Sequence, residues 1–225
     1  MDKSGTDNDG RNGLVVLKAV VFDFGQVLTL TQDERRVNNM QKLSGLSMDE
    51  FRKRYERFRG EYDRGVIDGR EYWNLVLGHS RARIEDFIPL YDALIFEDIH
   101  SWVRINRRSV SFARLLRDRG IKIAILSNMP RDMGRYVREY HGDIVEIFNE
   151  IIFSFEIGMI KPEEGIYRYC VERLETSAGD TLFIDDSSVN IEGAKRVGLK
   201  TFQFVPGVTD LSFGIVDEVV GDVTD

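Results

Sequence analysis

The chain has 225 residues, of which 42% are hydrophobic and 31% are charged. This length and composition are typical of a soluble globular protein with one sizeable core, and they leave room for an inserted subdomain. The formal net charge of −7 argues against a nucleic acid or an anionic membrane as the main partner. The single cysteine, Cys170, excludes an intramolecular disulfide and suits a reducing compartment such as the cytoplasm.

The amino-terminal region consists of a polar tail followed by a hydrophobic run. Residues 1–13 are rich in Asp, Asn, Gly and Ser and lack the apolar centre of a signal peptide, so we expect a disordered tail. Three polar residues interrupt the run over 14–30, which makes it unsuitable for spanning a membrane. Its first part, 14–22, is broken only by Lys18 and predicts a strand buried on both faces of a parallel sheet.

The segment over residues 31–105 is charged and helical in pattern, with no strand signal. Ser47 and Asp68 each precede a glutamate by three positions, which is the arrangement of a capping box at the start of a helix. Residues 82–95 predict a further helix. We therefore expect a small helical subdomain over 31–105, inserted after the first strand. The alternative, that these helices belong to one undivided domain, stays open.

From Ser109 onward the pattern alternates between helix and strand. The predicted helices cover 109–119, 131–141, 163–174 and 189–197, and the predicted strands cover 121–126, 151–155, 181–184 and 200–204. Pro162 suits the first turn of the third of these helices. The alternation predicts an α/β fold with a parallel sheet and helices on both faces. We assign residues 14–30 and 106–225 to this core; the acidic tail after Pro206 is only weakly patterned.

Polar residues stand at the ends of four predicted strands. They are Asp23, Ser127 with Asn128, Lys161 in the loop after the third strand, and Asp185 with Asp186. Each has an ordinary structural explanation as a helix cap, a turn residue or a solvated lysine. In a parallel sheet, however, these ends lie along one edge, so the residues are expected to converge there.

The converging residues suggest phosphoryl chemistry. Three carboxylates in one place would repel each other, and a hard divalent cation such as Mg²⁺ would neutralise them through oxygen ligands. Asp23 can then attack phosphorus and form an aspartyl-phosphate. We expect Lys161 to hold the phosphate and offset the charge of Asp23, while Ser127 and Asn128 donate hydrogen bonds to phosphate oxygens.

Four segments resemble the motifs of the haloacid dehalogenase superfamily, in the right order and at the right spacing. They are Phe22-Asp23-Phe24-Gly25-Gln26-Val27-Leu28, Leu126-Ser127-Asn128, Gly158-Met159-Ile160-Lys161-Pro162-Glu163, and Phe183 to Ala194 with its Asp185-Asp186 pair. The last two are similar to the branch with bacterial sugar-1-phosphate phosphatases and the N-terminal domain of soluble epoxide hydrolases. The resemblance implies a Rossmann-like core with a helical cap at about 31–105.

The resemblance also implies roles for individual residues. Asp23 would be the nucleophile, and the metal ligands would be Asp23, the backbone carbonyl of Gly25, Asp186 and Asp185. The cap of such enzymes usually selects the substrate. Tyr62, Arg64, Tyr72 and Trp73 are candidates for that role, although a place in the cap core or on its surface is the stronger expectation, above all for the aromatic residues.

Gly25 departs from the pattern of most phosphatases in this superfamily, which carry a second aspartate two residues after the nucleophile. That aspartate protonates the leaving oxygen and later activates water, and a general acid is typically worth 10²–10⁴-fold in rate. The sugar-1-phosphatase-like branch also carries glycine here, and an anomeric oxygen leaves more easily than an ordinary alcohol. Gln26 cannot act as an acid but could orient water.

These observations predict a Mg²⁺-dependent phosphatase for a small phosphorylated metabolite, with a sugar phosphate as one candidate substrate and a monomer or homodimer as the expected assembly. Two alternatives remain. One is a dehalogenase in which Asp23 attacks carbon without a metal, although such an enzyme does not need Asp185 and Asp186. The other is a binding or regulatory module with little turnover, because Gly25 removes the usual acid.

Overall fold

A computed structural model describes residues 17–220, apart from the side chains of 81–83 and 217–220. The tail expected at 1–13 and the first three residues of the expected strand over 14–22 lie outside the described residues. Within the described range, five parallel strands form one sheet in the order β3-β2-β1-β4-β5. The strands are β1 (Ala19–Phe22), β2 (Lys122–Ser127), β3 (Glu150–Phe153), β4 (Thr181–Asp185) and β5 (Lys200–Gln203).

Strand β1 is the centre of the sheet and is buried on both faces. Val20 and Phe22 point into one hydrophobic core, whereas Ala19 and Val21 point into the other, as the alternation of side chains along a strand requires. Phe22 lies in register with Ile125 of β2 on one side and with Ile184 of β4 on the other. The residues that follow these three positions therefore emerge together at one edge of the sheet.

Helices between β1 and β2 form a separate layer with its own core. They are α1 (Glu34–Ser44), α2 (Met48–Arg57), α3 (Arg59–Asp63), α4 (Gly69–Leu77), the 3₁₀ helix Arg81–Phe87 and α5 (Ile88–Trp102). Met40, Phe51, Trp73 and Tyr91 are among the fully buried side chains of this core. Because the segment buries its own apolar surface, we propose it as the cap, with the boundaries 31–105 expected from the sequence.

The two connections between this segment and the sheet run side by side. Thr29 and Ile105 form an isolated antiparallel bridge, the amide of Leu30 donates to the Arg104 carbonyl at 2.6 Å, and the amide of Asn106 donates to the Leu28 carbonyl at 2.8 Å. The helical segment therefore leaves and re-enters the sheet domain through a two-chain neck, close to the boundaries proposed above.

The remaining helices cover both faces of the sheet, which confirms the expected α/β architecture. They are α6 (Arg107–Asp118), α7 (Arg131–Tyr140), α8 (Gly142–Val145), α9 (Ser154–Ile157), α10 (Glu164–Arg173), α11 (Ser188–Val197) and α12 (Phe213–Val220). Apolar residues of α6, α7, α8 and α12 belong to the core on one face, and those of α10 and α11 to the core on the other. None of the helices within 17–220 has the length and apolar character needed to cross a membrane.

Four local predictions differ from the structure. Strand β3 ends at Phe153 because Ser154 begins the short helix α9. Pro162 precedes α10, whose N-cap is Glu163, and therefore does not lie in its first turn. Only Asp68 forms the full capping box; the Glu50 carboxylate binds Arg54 instead of reaching back. The helix expected over 82–95 is instead the 3₁₀ helix Arg81–Phe87 followed by α5. In addition, the weak pattern after Pro206 did not indicate α12.

Helix α12 is stabilised by contacts with a distant part of the chain. The Phe213 ring packs edge-on against Phe112 of α6, with 5.5 Å between ring centroids, and the Arg119 guanidinium lies 3.5 Å from the Phe213 ring centroid. Such tertiary contacts stabilise helices whose local pattern is weak.

Candidate active site

Asp23 is the first residue after β1 and is fixed by the two strands beside it. Its amide donates to the Ile184 carbonyl of β4 at 2.9 Å, and its Oδ1 accepts from the Phe24 amide at 2.7 Å. The side chain is buried but lines a cavity of about 230 Å³. The carboxylate therefore faces this cavity, while its backbone belongs to the centre of the sheet.

The turn after Asp23 contains a residue with a left-handed backbone. Gln26 has φ of 60°, a conformation that costs a residue other than glycine roughly 1–2 kcal/mol. Its amide donates to Thr29 Oγ1 at 3.0 Å, and its side-chain Nε2 donates to Asp186 Oδ2 at 2.6 Å. The strained turn thus brings Gln26 to a carboxylate at the end of β4.

Lys161 lies between two of the carboxylates. Its Nζ is 2.8 Å from Asp23 Oδ1 and 2.7 Å from Asp185 Oδ2, and its side chain is only 1% exposed. Burial lowers the pKa of Lys161, but the charges of Asp185 and Asp23 outweigh this effect and raise the pKa above its usual value. The ammonium group is therefore held in its charged form next to Asp23.

Asn128 positions the backbone of Lys161. Its Oδ1 accepts from the Lys161 amide at 2.7 Å, and its Nδ2 donates to the Lys161 carbonyl at 2.9 Å. Ser127 is buried at the end of β2, and both residues line the cavity. The hydroxyl of Ser127 has no hydrogen-bond partner within residues 17–220, so it is available to a ligand, whereas much of the Asn128 amide is engaged.

Asp185 and Asp186 occupy different surroundings. Asp185 is fully buried; its Oδ2 binds Lys161, and its Oδ1 accepts from the Ser187 amide at 2.8 Å and Asn190 Nδ2 at 3.1 Å. Asp186 lines the cavity, and burial together with the charge of Asp185 raises its pKa. Asp185 therefore anchors Lys161 and the start of α11, while Asp186 faces the space in front of Asp23.

The carboxylate cluster fits a divalent cation. One oxygen of each of Asp23, Asp185 and Asp186 lies within 4.8 Å of the other two. Burial, together with the charges of Asp185 and Asp186, raises the pKa of Asp23 to about 7, although Lys161 opposes the shift. The single positive charge of Lys161 therefore does not balance the three carboxylates. A cluster of oxygen ligands of this kind suits Mg²⁺.

The helical segment contributes residues to the cavity that sequence reasoning did not find. They are Tyr55, Arg59, Asp63 and Trp102. The first three recur every fourth residue, so they share one face of a helical stretch. That spacing is a signal that could have identified them. Gln26 and Asn190, which bind the carboxylates at the end of β4, were likewise not assigned a place at the cavity wall.

The four candidates for substrate selection proposed from the sequence lie elsewhere. Tyr62, Tyr72 and Trp73 are buried within the core of the helical segment. Arg64 forms an ion pair with Glu163 and donates to the Gly158 carbonyl at 3.0 Å, which ties the helical segment to the Lys161 loop. None of the four is among the residues that line the cavity.

The family model of haloacid dehalogenase-like hydrolases matches residues 17–198. The chain belongs to this family. The resemblance stated from the sequence is therefore confirmed, and the region matched includes the inserted helices and the first four strands of the sheet.

Curated relatives of this haloacid dehalogenase-like hydrolase include two phosphatases. Sesquiterpene phosphatase astK of Aspergillus oryzae is 26% identical over 185 residues, which cover 81% of this chain and 87% of that protein. D-ribitol-5-phosphate phosphatase of Bacteroides thetaiotaomicron is 22% identical over 197 residues, which cover 84% and 92% of the two chains.

A solved structure has the same fold. The HAD family enzyme of Bacteroides thetaiotaomicron superposes with a TM-score of 0.72 at 21% identity, covering 89% of this chain and 98% of that one. The wild-type form of that enzyme was also crystallised with magnesium and inorganic phosphate, and this form matches with a TM-score of 0.67, at 21% identity over 86% and 96% of the two chains. The expected Rossmann-like fold is confirmed.

Proposed function

We propose that this hydrolase is a Mg²⁺-dependent phosphatase that cleaves a small phosphomonoester through an aspartyl-phosphate on Asp23. The observation that carries the proposal is the contact of Lys161 Nζ with Asp23 Oδ1 at 2.8 Å, beside two further carboxylates and at the wall of a cavity. A nucleophile, a cation for the phosphoryl group and a cluster of metal-binding oxygens thus meet in one place.

Each residue has a defined task in this mechanism. Asp23 attacks phosphorus as the bond from phosphorus to the ester oxygen breaks, and that oxygen leaves with the electron pair. Lys161 and the Ser127 hydroxyl bind the equatorial oxygens of the phosphoryl group. Water then attacks phosphorus as its bond to the Asp23 carboxylate breaks, which restores that carboxylate and releases inorganic phosphate. Because Gly25 supplies no acid or base, the proton gained by the departing oxygen and the proton lost by the attacking water are exchanged with solvent.

The residues for the metal are Asp23, the Gly25 carbonyl and Asp186, which line the cavity, with Asp185 directly behind. A bound Mg²⁺ would stabilise the charge on the phosphoryl group and offset the carboxylates around it. Gln26 donates to Asp186 Oδ2, so we assign it to orienting this carboxylate. We assign Asn128 chiefly to holding the Lys161 loop, since its amide binds both sides of the Lys161 backbone.

The relatives support a phosphatase activity but do not identify the alcohol part of the substrate. The phosphatases among them include one named for a sesquiterpene and one named for ribitol 5-phosphate, and the structural neighbour was crystallised with magnesium and phosphate. The sugar phosphate suggested by the sequence is therefore one candidate among several. The expected cytoplasmic location and the monomeric or homodimeric state stay predictions.

The proposal is tested by phosphate release from p-nitrophenyl phosphate and a panel of phosphomonoesters, with Mg²⁺ and with EDTA. We expect turnover that needs Mg²⁺ and that falls by roughly a thousand-fold or more in Asp23→Asn. Asp49→Asn, which changes an exposed aspartate on α2, is the matched control and should retain full activity.

The two alternatives give different results in the same assays. Release of halide from a 2-haloacid without metal, with no phosphate release, would favour a dehalogenase. No release from any compound, together with no Mg²⁺ binding by calorimetry, would favour a binding module. Unchanged phosphate release in Asp23→Asn would exclude Asp23 as the nucleophile.

A further inference from the structure

Trp102 occupies the space next to Gly25. A Cβ atom placed on Gly25 would lie 3.9 Å from Cζ3 and 4.0 Å from Cε3 of the Trp102 ring, and 4.0 Å from Asp23 Oδ2. Trp102 is the last residue of α5, so this ring comes from the helical segment. An aromatic surface therefore lies beside the nucleophile, at the position from which most relatives extend an acid.

Other apolar side chains continue this surface. Phe24, Met129, Pro130 and Met133 line the same cavity as Trp102. All four are buried, so they present a fixed apolar wall. Methionine and aromatic side chains bind hydrocarbon surfaces well because they are polarizable and carry no charge.

The charged groups from the helical segment neutralise one another. Arg59 Nε binds Asp63 Oδ1 at 2.9 Å, and its Nη1 binds Asp98 Oδ2 at 2.8 Å. Its Nη1 also donates to the Tyr55 hydroxyl at 2.8 Å, and that hydroxyl donates to Asp98 Oδ1 at 2.5 Å. One guanidinium thus faces two carboxylates, which leaves no net positive charge for a second anionic group of a substrate.

The amide side chains around the cavity are also engaged. Gln26 donates to Asp186, Asn190 donates to Asp185, and Asn128 binds the Lys161 backbone through both of its polar atoms. A polyhydroxylated leaving group would need a partner for each hydroxyl, because a buried hydroxyl without one is costly. Among the residues that line the cavity, Trp102 Nε1 is a buried donor without a hydrogen-bond partner within residues 17–220, and the Ser127 hydroxyl is assigned to the phosphoryl group, so few groups are free for several hydroxyls.

We propose that the substrate is the phosphate monoester of a small, uncharged and mainly apolar alcohol, whose hydrocarbon part packs against Trp102. This inference rests on the proposed phosphatase function and narrows its substrate class. The cavity of about 230 Å³ is smaller than the pockets that typically hold drug-sized ligands, which favours a short chain or a single ring. Sugar phosphates and diphosphorylated compounds are poor substrates on this view.

The test compares benzyl phosphate with ribitol 5-phosphate at saturating Mg²⁺. Both are esters of primary alcohols, so their leaving oxygens are of similar chemical type and differences in kcat/KM report mainly on binding of the alcohol. We expect kcat/KM for benzyl phosphate to exceed that for ribitol 5-phosphate by at least about ten-fold, the size of one good aromatic contact.

Two variants of Trp102 test whether this residue causes the preference for benzyl phosphate. Trp102→Ala should lower kcat/KM for benzyl phosphate about ten-fold while changing that for ribitol 5-phosphate by less than about three-fold. Trp102→Phe, which keeps a ring and better preserves folding, should retain most of the preference. Phe96→Ala is the matched control, since Phe96 lies on the same helix, is 50% exposed and does not line the cavity; it should behave like the wild type.

The outcomes separate this inference from the proposed function. Inorganic phosphate occupies the Asp23 and Lys161 side of the site, so its inhibition constant should be unchanged in Trp102→Ala. The proposed substrate class is wrong if ribitol 5-phosphate is the better substrate. It is also wrong if Trp102→Ala lowers kcat/KM for both esters and weakens phosphate inhibition to the same extent. Either result would leave the proposed phosphatase activity intact. If no phosphomonoester of the panel is hydrolysed and Mg²⁺ does not bind, the phosphatase itself is excluded.

Discussion

The clamp that Asn128 forms on Lys161 leads to a prediction that separates positioning of the lysine from binding of phosphate. Asn128→Ala removes two short hydrogen bonds to the Lys161 backbone, of 2.7 Å to its amide and 2.9 Å from the side-chain amide to its carbonyl. Lys161 itself is buried between Asp23 and Asp185, so its loop has little freedom to compensate.

The expected loss follows from these two bonds. A hydrogen bond within a protein contributes about 0.5–1.5 kcal/mol net, and a buried polar group left without a partner costs more. We therefore expect Asn128→Ala to lower the free energy of unfolding by about 2–3 kcal/mol. A displacement of a catalytic group by about 1 Å can cost roughly a hundred-fold in rate, so kcat should fall by about ten-fold to a hundred-fold.

Two further variants separate the loss of the Lys161 hydrogen bonds from the loss of a phosphate-binding group. Asn128→Asp keeps the acceptor for the Lys161 amide but places a carboxylate against the Lys161 carbonyl, so it should lose about as much stability as Asn128→Ala. Ser127→Ala removes a cavity hydroxyl with no partner within residues 17–220. It should change the free energy of unfolding by less than about 1 kcal/mol but lower kcat/KM about ten-fold, because one donor to the phosphoryl group is lost.

Urea unfolding and steady-state hydrolysis of p-nitrophenyl phosphate measure both effects on the same preparations. A shift in midpoint with an unchanged slope would report a change in stability alone. The reasoning is refuted if Asn128→Ala unfolds like the wild type, since the two bonds would then carry no energy. Equal destabilisation by Ser127→Ala and Asn128→Ala would also refute it.

Two other substitutions test the surroundings of the site and the helical segment. A Cβ atom on Gly193 would lie 2.8 Å from Pro162 Cβ and 2.9 Å from the Pro162 carbonyl oxygen. Gly193→Ala should therefore lower the free energy of unfolding by about 1–3 kcal/mol and reduce phosphate release, because it shifts the Lys161 loop. Gly142→Ala, where a Cβ atom would have no atom within 4 Å, should have neither effect. Asp33 caps α1, and its hydrogen bond with Arg35 lowers its pKa to about 2. Because the pKa of Asp33 in the folded state lies below the ordinary value, its ionised carboxylate stabilises the folded state fully above about pH 4. This stabilisation fades as the pH falls towards 2, and solvent exposure of Arg35 limits it to about 1 kcal/mol. Urea unfolding of Asp33→Asn at pH 7 and pH 3 should therefore show a difference from the wild type that shrinks at the lower pH, and an equal difference at both would contradict this assignment.

The sheet could be predicted because its strands are short, apolar and separated by clear helical patterns. Ala19–Phe22 and Lys122–Ser127 have no polar face, so only a buried parallel sheet accommodates them. Once the strands are parallel, their carboxyl ends share an edge, and that rule brings Asp23, Ser127 and Asp185 together. The convergence of these residues therefore required no knowledge of side-chain packing.

The cap contribution could not be predicted in the same way. Which face of a helix turns towards the sheet depends on how the whole segment packs, and Tyr62 and Tyr72 are as aromatic as Tyr55 yet lie in the core of the segment. The sequence also does not distinguish Arg59 from an ordinary surface arginine, although its side chain is only 21% exposed. Asp63 stands four residues after Arg59, a spacing that the sequence shows, whereas its second partner, Asp98, becomes visible only in three dimensions.

Gly25 and Trp102 are best understood together, because the indole ring lies beside the position from which an acid would extend. A Cβ atom at position 25 would be in ordinary contact with the indole ring at 3.9 Å and with Asp23 Oδ2 at 4.0 Å, so the chain has an aromatic surface there and no acid. Omitting the acid costs roughly 3–5 kcal/mol of transition-state stabilisation if a general acid is worth 10²–10⁴-fold. Burying about 150 Å² of a ring at roughly 25 cal/mol per Å² gives about 4 kcal/mol. The two quantities are comparable, but binding energy raises kcat only where it is expressed in the transition state. Leaving-group contact with Trp102 can therefore offset the missing acid only if the ring holds the ester in line with Asp23, which makes orientation against Trp102 the feature on which turnover depends.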